Sequence, residues 1–380
     1  MNNLHITFTE MRNESRILKE TDSILNFNIA SKVYIASLHA DDLKEQFIYR
    51  DNLILNRFKL SSRKLSKKLF IQIIKYFEFI YRLTLFYRKK DIKLVNIHSI
   101  ALLPLGVFLM YIFKAKLVYD THELETETNG LKGYRQRFAK FMEKILIKRC
   151  DIVFVVSENI ADWYAKEYRI GRPVVVKNAP RLFSSRKTNH FRENLGIKDK
   201  SIIALYQGGL TKGRGVEFLL ETFKKRFDDN IVIVFMGYGQ MEEDIKIASK
   251  EKHNIFFHPA AAPDVILDYT FSADIGIHLI QNTCLNHYFS LPNKFFEYSM
   301  AALPVVVSNM KELRDLVESY NMGVIVKEES VDSLNIAIDK ILDSDIKQMK
   351  QNSRRCAEEN SWEVQEIKMI NEYKRVLNGK

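Results

Sequence analysis

This sequence predicts an α/β fold with parallel sheets, on three observations. Short apolar, β-rich runs recur along the chain, with helical patterns between them, which is the order of βαβ units. Several runs end in glycine-marked turns of the kind that follow a strand. A polar stretch near residue 180 breaks the alternation once and divides the chain into two similar halves.

The runs of the first half cover residues 4–8, 32–36, 94–97, 116–119 and 152–156; those of the second cover 202–205, 231–235, 255–257, 275–279, 305–307 and 324–326. Helical patterns include 215–225, 241–250 and 331–342. Pro173-Val174-Val175-Val176 ends a strand, and the polar stretch 181–190 follows Asn178-Ala179-Pro180. The expected domains are 1–180 and 181–360, with a closing helix over 361–380 that crosses back to the first.

A length of 380 residues suits two domains, and a hydrophobic content of 46% suits a soluble protein with sizeable cores. Cys150, Cys284 and Cys356 are odd in number and widely spaced, so neither a disulfide framework nor a metal spacing is read, and a reducing compartment is expected. The N-terminus shows no basic region followed by a long apolar run, so no signal peptide is expected. The longest apolar run, 100–113, contains Pro104 and Gly106 and is too short to span a bilayer; it reads as a buried helix.

The net charge of +11 is uneven. Residues 1–180 hold 31 Lys/Arg against 19 Asp/Glu, more than the whole surplus. Within 57–93 only Glu78 and Asp91 oppose the cations, while Leu65, Leu69, Ile73, Phe77 and Ile80 recur at helical spacing. A basic amphipathic helix rich in aromatics is a membrane-surface element. Its patch would be Arg63, Lys64, Lys67, Lys68, Lys75 and Arg82, each worth about 1 kcal/mol at an anionic leaflet. The alternative is a helix packed on the first sheet with its charges solvated. No nucleic-acid module surrounds the segment, so nucleic acid is not an expected partner.

Four segments carry candidate chemistry. In Val118-Tyr119-Asp120-Thr121-His122-Glu123-Leu124-Glu125 a strand runs into a polar turn, where His122, as a neutral imidazole, could donate to a sugar hydroxyl or a phosphate. The other reading makes Asp120 and Thr121 a helix cap. Tyr206-Gln207-Gly208-Gly209-Leu210-Thr211-Lys212-Gly213-Arg214-Gly215 follows a strand and opens a helix. Its glycines permit close backbone approach, and Lys212 and Arg214 add charge, as in a diphosphate cradle; a plain turn with solvated cations is the alternative. Phe235-Met236-Gly237-Tyr238-Gly239 is a weaker strand–turn signal. In Ser290-Leu291-Pro292-Asn293-Lys294-Phe295-Phe296-Glu297-Tyr298, Pro292 opens a helix and Lys294 and Glu297 share a face. Free N–H groups there suit an anion, and Glu297 suits a ribose diol. The alternative leaves Glu297 as a solvated charge.

In this order the segments resemble the retaining GT-B glycosyltransferases, in particular glycosyltransferase family 4, over nearly the whole chain. Tyr119-Asp120-Thr121-His122-Glu123 looks like the family's Asp-x-His-Glu turn, and Val155-Val156-Ser157-Glu158 like its Ser element before the linker. Gly208-Gly209-Leu210 with Lys212-Gly213-Arg214-Gly215 is similar to its phosphate loop. The segment 292–298 resembles a variant found in bacterial surface polysaccharide assembly, such as capsule or lipopolysaccharide. The resemblance implies two Rossmann-like domains facing across a cleft, the N-terminal one for the acceptor and the C-terminal one for the nucleotide-sugar.

On that basis the donor site would comprise Gly208, Gly209, Lys212, Gly213, Arg214, Gly237, Tyr238, Asn293, Lys294 and Glu297. His122, Glu297 and Arg214 would serve the reaction. The implied chemistry is transfer with retention, with no metal and no cofactor, from a donor that by resemblance is a UDP-sugar. The acceptor would be lipid-linked or glycan, and the enzyme cytoplasmic and peripheral to the membrane. The sequence departs twice: Phe289 stands where the family's Glu-x7-Glu pair has its first carboxylate, and Gly209 where Gly-Arg-Leu has arginine. A GT-B sugar-nucleotide epimerase and a non-catalytic GT-B partner subunit are the competing readings.

Overall fold

The computed structural model describes residues 1–380 apart from 13, 67, 185–187, 227–229, 264 and 380. Lys67, one of the expected patch residues, therefore lies outside the described residues. The chain forms two compact units: Met1–Val176 with Glu366–Lys380, and Lys177–Gln365.

The strands of the first unit are β1 (Asn2–Ile6), β2 (Lys32–Leu38), β3 (Gln46–Arg50), β4 (Leu53–Phe58), β5 (Ile92–Ile97), β6 (Lys116–Asp120), β7 (Ile152–Val155) and β8 (Val174–Val175). They lie in the order β3-β4-β2-β1-β5-β6-β7-β8, parallel except for the β3–β4 hairpin. The hairpin was not read from the sequence. Every residue of β3 is exposed, so this edge strand lacks the apolar alternation that marks a half-buried one. The helix Trp362–Leu377 brings the chain back: Glu366 accepts from the Ser23 hydroxyl, and the Tyr373 hydroxyl accepts from Asn96.

The second unit holds β9 (Ile202–Gly209), β10 (Ile231–Tyr238), β11 (Ile255–Pro259), β12 (Ile275–His278), β13 (Val305–Ser308) and β14 (Gly323–Val326). All are parallel, in the order β11-β10-β9-β12-β13-β14. This is doubly wound order, with its switch point between β9 and β12, where open sheets take their ligands. Apolar clusters cover both faces, one around Phe295, Tyr298 and Val305, the other around Phe223, Phe235 and Ile277.

Two helix expectations need correction. The basic segment is not one helix. β4 ends at Phe58, a 3-10 turn spans Ser61–Lys64, and the helix runs Leu69–Tyr87. Glu78 closes the turn onto the helix, accepting from the Ser61 and Ser62 N–H groups and the Ser62 hydroxyl. Arg63 and Lys64 thus lie on the turn and Lys68 at the helix N-cap; only Lys75 and Arg82 of the patch are helical. The run 100–113 is also not wholly buried. A 3-10 turn precedes the helix Leu103–Phe113, which buries Leu105, Gly106 and Leu109 and exposes Phe108, Tyr111 and Ile112.

These two helices share a face of the first sheet with the helix Gly133–Leu146. The connections β4→β5, β5→β6 and β6→β7 all step the same way across the sheet, and right-handed crossovers put such connections on one side. Their outward surface is unusually apolar. Phe70 is 70% and Tyr134 79% exposed, and Phe77, Tyr81, Phe138 and Phe141 are exposed beside them. The only acids in the three helices are Glu78, engaged above, and Glu143, buried under the hydroxyls of Tyr119, Tyr164 and Tyr168. Among the described residues no helix is long and apolar enough to cross a membrane.

Gly237 pairs with Gly208 where β10 and β9 end. A Cβ on Gly237 would lie 1.8 Å from the Gly208 carbonyl oxygen, which is backbone and cannot rotate away. Gly237→Ala is therefore expected to cost about 1–3 kcal/mol, read as a lower urea midpoint; an unchanged midpoint would show that the strand ends relax freely.

Candidate functional site

Two backbone residues at the end of β9 form a floor. Gly208 has φ +136°, and a Cβ there would lie 2.2 Å from Lys294 Cε, so the lysine crosses directly over the glycine. Beside it, Arg214 Cδ lies 3.8 Å from where a Gly209 Cβ would be. The two expected cations thus converge over adjacent glycines. The loop between is clamped: Gly213 N–H donates to Glu217 Oε1 (3.0 Å), and the Gly213 carbonyl accepts from Gln281 N–H (3.1 Å). Gly215 caps the helix Val216–Lys225 in a left-handed conformation. Lys212 is exposed on the turn, and Tyr238 is exposed at the end of β10.

The helix Asn293–Met300 starts after Pro292 with no side-chain cap, which leaves N–H groups available for an anion. Phe295 and Phe296 face the core, and Asn293 is exposed. Burial lowers the pKa of Lys294; Glu297 opposes this and Arg214 adds to it. Glu297 is not a solvated charge: its Oε2 accepts from Gln207 Nε2.

Gln207 lies in the glycine segment, and its role in the site is not marked by any spacing in the sequence. It is 1% exposed and organises the site. Its Oε1 accepts from Thr270 Oγ1 (2.9 Å), and its N–H donates to the Tyr298 hydroxyl (3.0 Å), which donates to the Ile277 carbonyl (3.2 Å). The available signal was a polar residue within an apolar strand just before two glycines. His278 was also missed. It ends β12, buried, with Nε2 unpartnered among the described residues. Burial, then Lys294 and Arg214, push its pKa down to about 3, so it is neutral at pH 7.

Phe289 follows the short helix Leu285–Tyr288 and stacks obliquely on Tyr288, ring centroids 5.4 Å apart. The position that holds a carboxylate in the family pattern is thus aromatic. His287 Nδ1 lies 3.0 Å from both Thr283 Oγ1 and the Gln281 carbonyl.

In the first unit, Asp120 is the hub. Arg16 holds it through two donors, Nε (3.0 Å) and Nη2 (2.6 Å), and donates Nη1 to the Val176 carbonyl. Burial alone would raise the Asp120 pKa, but Arg16, His122 and His98 bring it well below the usual carboxylate range. Glu20 lies 2.9 Å from Arg16 Nε, yet its oxygens accept no hydrogen bond of good geometry; burial and Asp120 push its pKa well up. Arg16 thus lies between two carboxyl groups, Asp120 pushed toward its charged form and Glu20 toward its neutral one.

The ionised Asp120 orients two imidazoles, and a third is hydrogen-bonded to one of them. His122 Nε2 and His98 Nδ1 lie 2.8 and 3.2 Å from Asp120 Oδ2, and His5 Nδ1 lies 2.9 Å from His98 Nε2. With these nitrogens donating toward Asp120, the expectation for His122 changes. Its Nε2 is turned to Asp120, so the nitrogen it can present to a ligand is Nδ1. Asp120 is likewise no helix cap. Among the described residues two sets of ligating side chains meet here, His5–Glu20–His98 and His98–Asp120–His122. Arg16 pairs with a carboxylate of each, and so supplies the positive charge that a cation would bring.

Glu125, in the same segment, accepts from Ile100 N–H (2.9 Å), yet burial pushes its pKa up to about 8. Its folded pKa exceeds the unfolded one of about 4.3, so its stabilising contribution is complete below that value and lost as pH rises toward 8. Glu125→Gln keeps the acceptor without the charge. It is expected to gain on the order of 3–4 kcal/mol over wild type between pH 5 and pH 8, read from Tm at both; an equal difference at both pH values would mean a solvated carboxyl.

Two family models match the chain: Glycosyltransferase Family 4 over residues 33–179 and Glycosyl transferases group 1 over 187–359. A curated relative, the uncharacterized glycosyltransferase MJ1607 of Methanocaldococcus jannaschii, is 24% identical over 164 residues; the match spans 40% of this chain and 39% of that protein. Among solved structures, sucrose-phosphate synthase from Thermosynechococcus elongatus aligns over 100% of both chains with TM-score 0.81 at 14% identity. Anabaena HepE in complex with UDP and glucose aligns over 100% of both with TM-score 0.73 at 12% identity. At these identities the structures speak for the fold: two Rossmann-like α/β domains of the GT-B kind. Two glycosyltransferase family models thus match consecutive parts of a chain with this fold, the first within 33–179 and the second within 187–359.

Proposed function

We propose that this chain is a retaining glycosyltransferase that moves a sugar from a nucleoside-diphosphate sugar, UDP-linked, to a lipid-linked or glycan acceptor in bacterial surface glycan synthesis. The observation that carries it is the convergence of Lys294 and Arg214 over the Gly208–Gly209 floor, one helical turn from Glu297. HepE, which shares the fold, was solved with UDP and glucose, and this supports the choice of nucleotide.

In this reading Glu297, oriented by Gln207, accepts hydrogen bonds from the ribose hydroxyls. The diphosphate lies over the glycine floor against Lys294, Arg214 and the open helix N-termini, with Gly213, Gly237 and Asn293 around it. Lys212 and Tyr238 stand at the rim. As the bond from sugar to diphosphate breaks, its electron pair goes to the leaving oxygen, and the fixed cations take up that charge without a required metal. The acceptor hydroxyl forms the new bond on the same face and gives its proton to the departing diphosphate. His122 contacts the transferred sugar through Nδ1.

The epimerase reading needs free acid–base carboxylates. Of the three carboxylates near the His122 turn that could serve it, Glu123, Glu125 and Glu127, Glu125 is engaged with Ile100 N–H and Glu127 with Lys140, which favours transfer. The exposed aromatics with Arg63, Lys64, Lys68, Lys75 and Arg82 support the further reading that the enzyme attaches to the cytoplasmic face of an anionic membrane.

Nucleotide release from UDP-, GDP-, ADP- and CMP-sugars, with and without membrane lipid extract, tests the function. One donor should be turned over, faster with lipid; no release and no nucleotide binding would favour a non-catalytic partner. Glu297→Ala should weaken UDP-sugar binding by about tenfold or more (~1.4 kcal/mol), and Gln207→Leu by less, both read by calorimetry. Unchanged affinity in Glu297→Ala would remove that residue from the site. Lys64→Glu with Lys68→Glu should reduce co-sedimentation with anionic vesicles while leaving nucleotide binding intact; equal co-sedimentation would count against membrane attachment.

A further inference from the structure

The first unit contains a cavity of about 670 Å³, with Arg63 and Lys75 of the basic patch in its lining. Its size lies within the roughly 300–1,000 Å³ of small-molecule pockets. Phe8 lies just beyond β1, Leu38 ends β2, and Leu60 follows β4; with Phe79 of the helix Leu69–Tyr87 they make an apolar bed. The cavity therefore opens at the carboxyl ends of parallel strands, beside the β1–β5 switch point.

Its polar rim is Arg63, Lys75 and Gln72, with no carboxylate in the lining. Arg63 is shared with Glu10. The Lys75 ammonium donates to the Leu65 carbonyl (2.9 Å) and has no acidic partner among the described residues, so two of its three N–H donors remain for a ligand. A free sugar would need many hydrogen-bonding groups to replace its water, and this bed offers few. A hydrocarbon with one anionic end matches both parts. The cavity's outer wall is the helix whose far side exposes Phe70, Ile73 and Phe77, so a bilayer-borne molecule meets apolar surface outside as well as within.

We propose that this cavity binds the phosphorylated hydrocarbon end of an amphiphilic acceptor, an alkyl or isoprenyl phosphate or diphosphate. The chain lies along Phe8, Leu38, Leu60 and Phe79, and the phosphate meets Lys75 and Arg63. Calling the ligand an acceptor rests on the transferase reading; the binding itself does not.

Decyl phosphate below its micellar concentration is the probe, titrated into the full chain by calorimetry beside inorganic phosphate and decanol. Decyl phosphate should bind, with both controls weaker by about tenfold or more. Lys75→Glu, which reverses the rim charge, and Leu60→Trp, which fills the bed, should each weaken it about tenfold, with UDP binding unchanged as the check on folding. If Leu60→Trp fails that check, the half-exposed Lys75→Glu decides alone. No binding of decyl phosphate, equal binding of inorganic phosphate or decanol, or undiminished binding in Lys75→Glu would overturn the assignment. Absence of nucleotide binding with decyl phosphate still bound would instead count against the transferase reading and leave the amphiphile site standing.

Discussion

The candidate site depends on a place where no side chain fits. β9 and β10 end in register, and the Gly208 carbonyl occupies the space that a Cβ on Gly237 would need. That close approach leaves bare backbone at the switch point, and Lys294 and Arg214 lie across it from opposite directions in the sequence. Any side chain at position 208 would displace the lysine. The glycines are therefore a steric condition for bringing two like charges together, more than a source of flexibility.

Two cations held close repel each other, and the surroundings decide the result. Glu297 offsets the burial of Lys294, while His278 stays neutral and adds no third charge. The outcome is a site with excess positive charge and one carboxylate, already positioned by Gln207. Such a site is stabilised by an anion that brings its own negative charge, and that distinguishes a ligand site from a structural ion pair. The first unit is built in the opposite way. Arg16, Asp120 and Glu20 balance within the core, and Asp120 holds the partly exposed His122 at its edge.

What could be read from the sequence was local. The glycine loop, the Pro292–Glu297 segment and most parallel strands are short patterns whose chemistry lies within ten residues. What could not be read joins distant positions or lacks periodicity. Arg16 meets Asp120 across 104 positions, and Gln207 meets Glu297 across 90, with no spacing rule to link them. The exposed edge strand β3 has no buried face to impose alternation. The basic run looked like one helix because charge and apolar period continue through 57–68, but Glu78 reaches back and closes Ser61 and Ser62 into a separate turn. The run 100–113 looked buried because composition cannot tell a core helix from one whose outer side faces something other than water.

That last confusion has a physical cause that bears on partners. Surface helices normally stay in solution by alternating acids and bases on the outer face. In the three helices that follow β4, β5 and β6, both acids are engaged in local structure, Glu78 in capping a turn and Glu143 in a buried tyrosine cluster. Aromatics and cations are what remain outside. Water is a poor partner for such a surface, and an acidic protein would leave its aromatics unmatched unless it were apolar too. The interfacial zone of an anionic bilayer supplies both halves at once, and it would deliver an amphiphilic phosphate to the cavity behind the first of those helices.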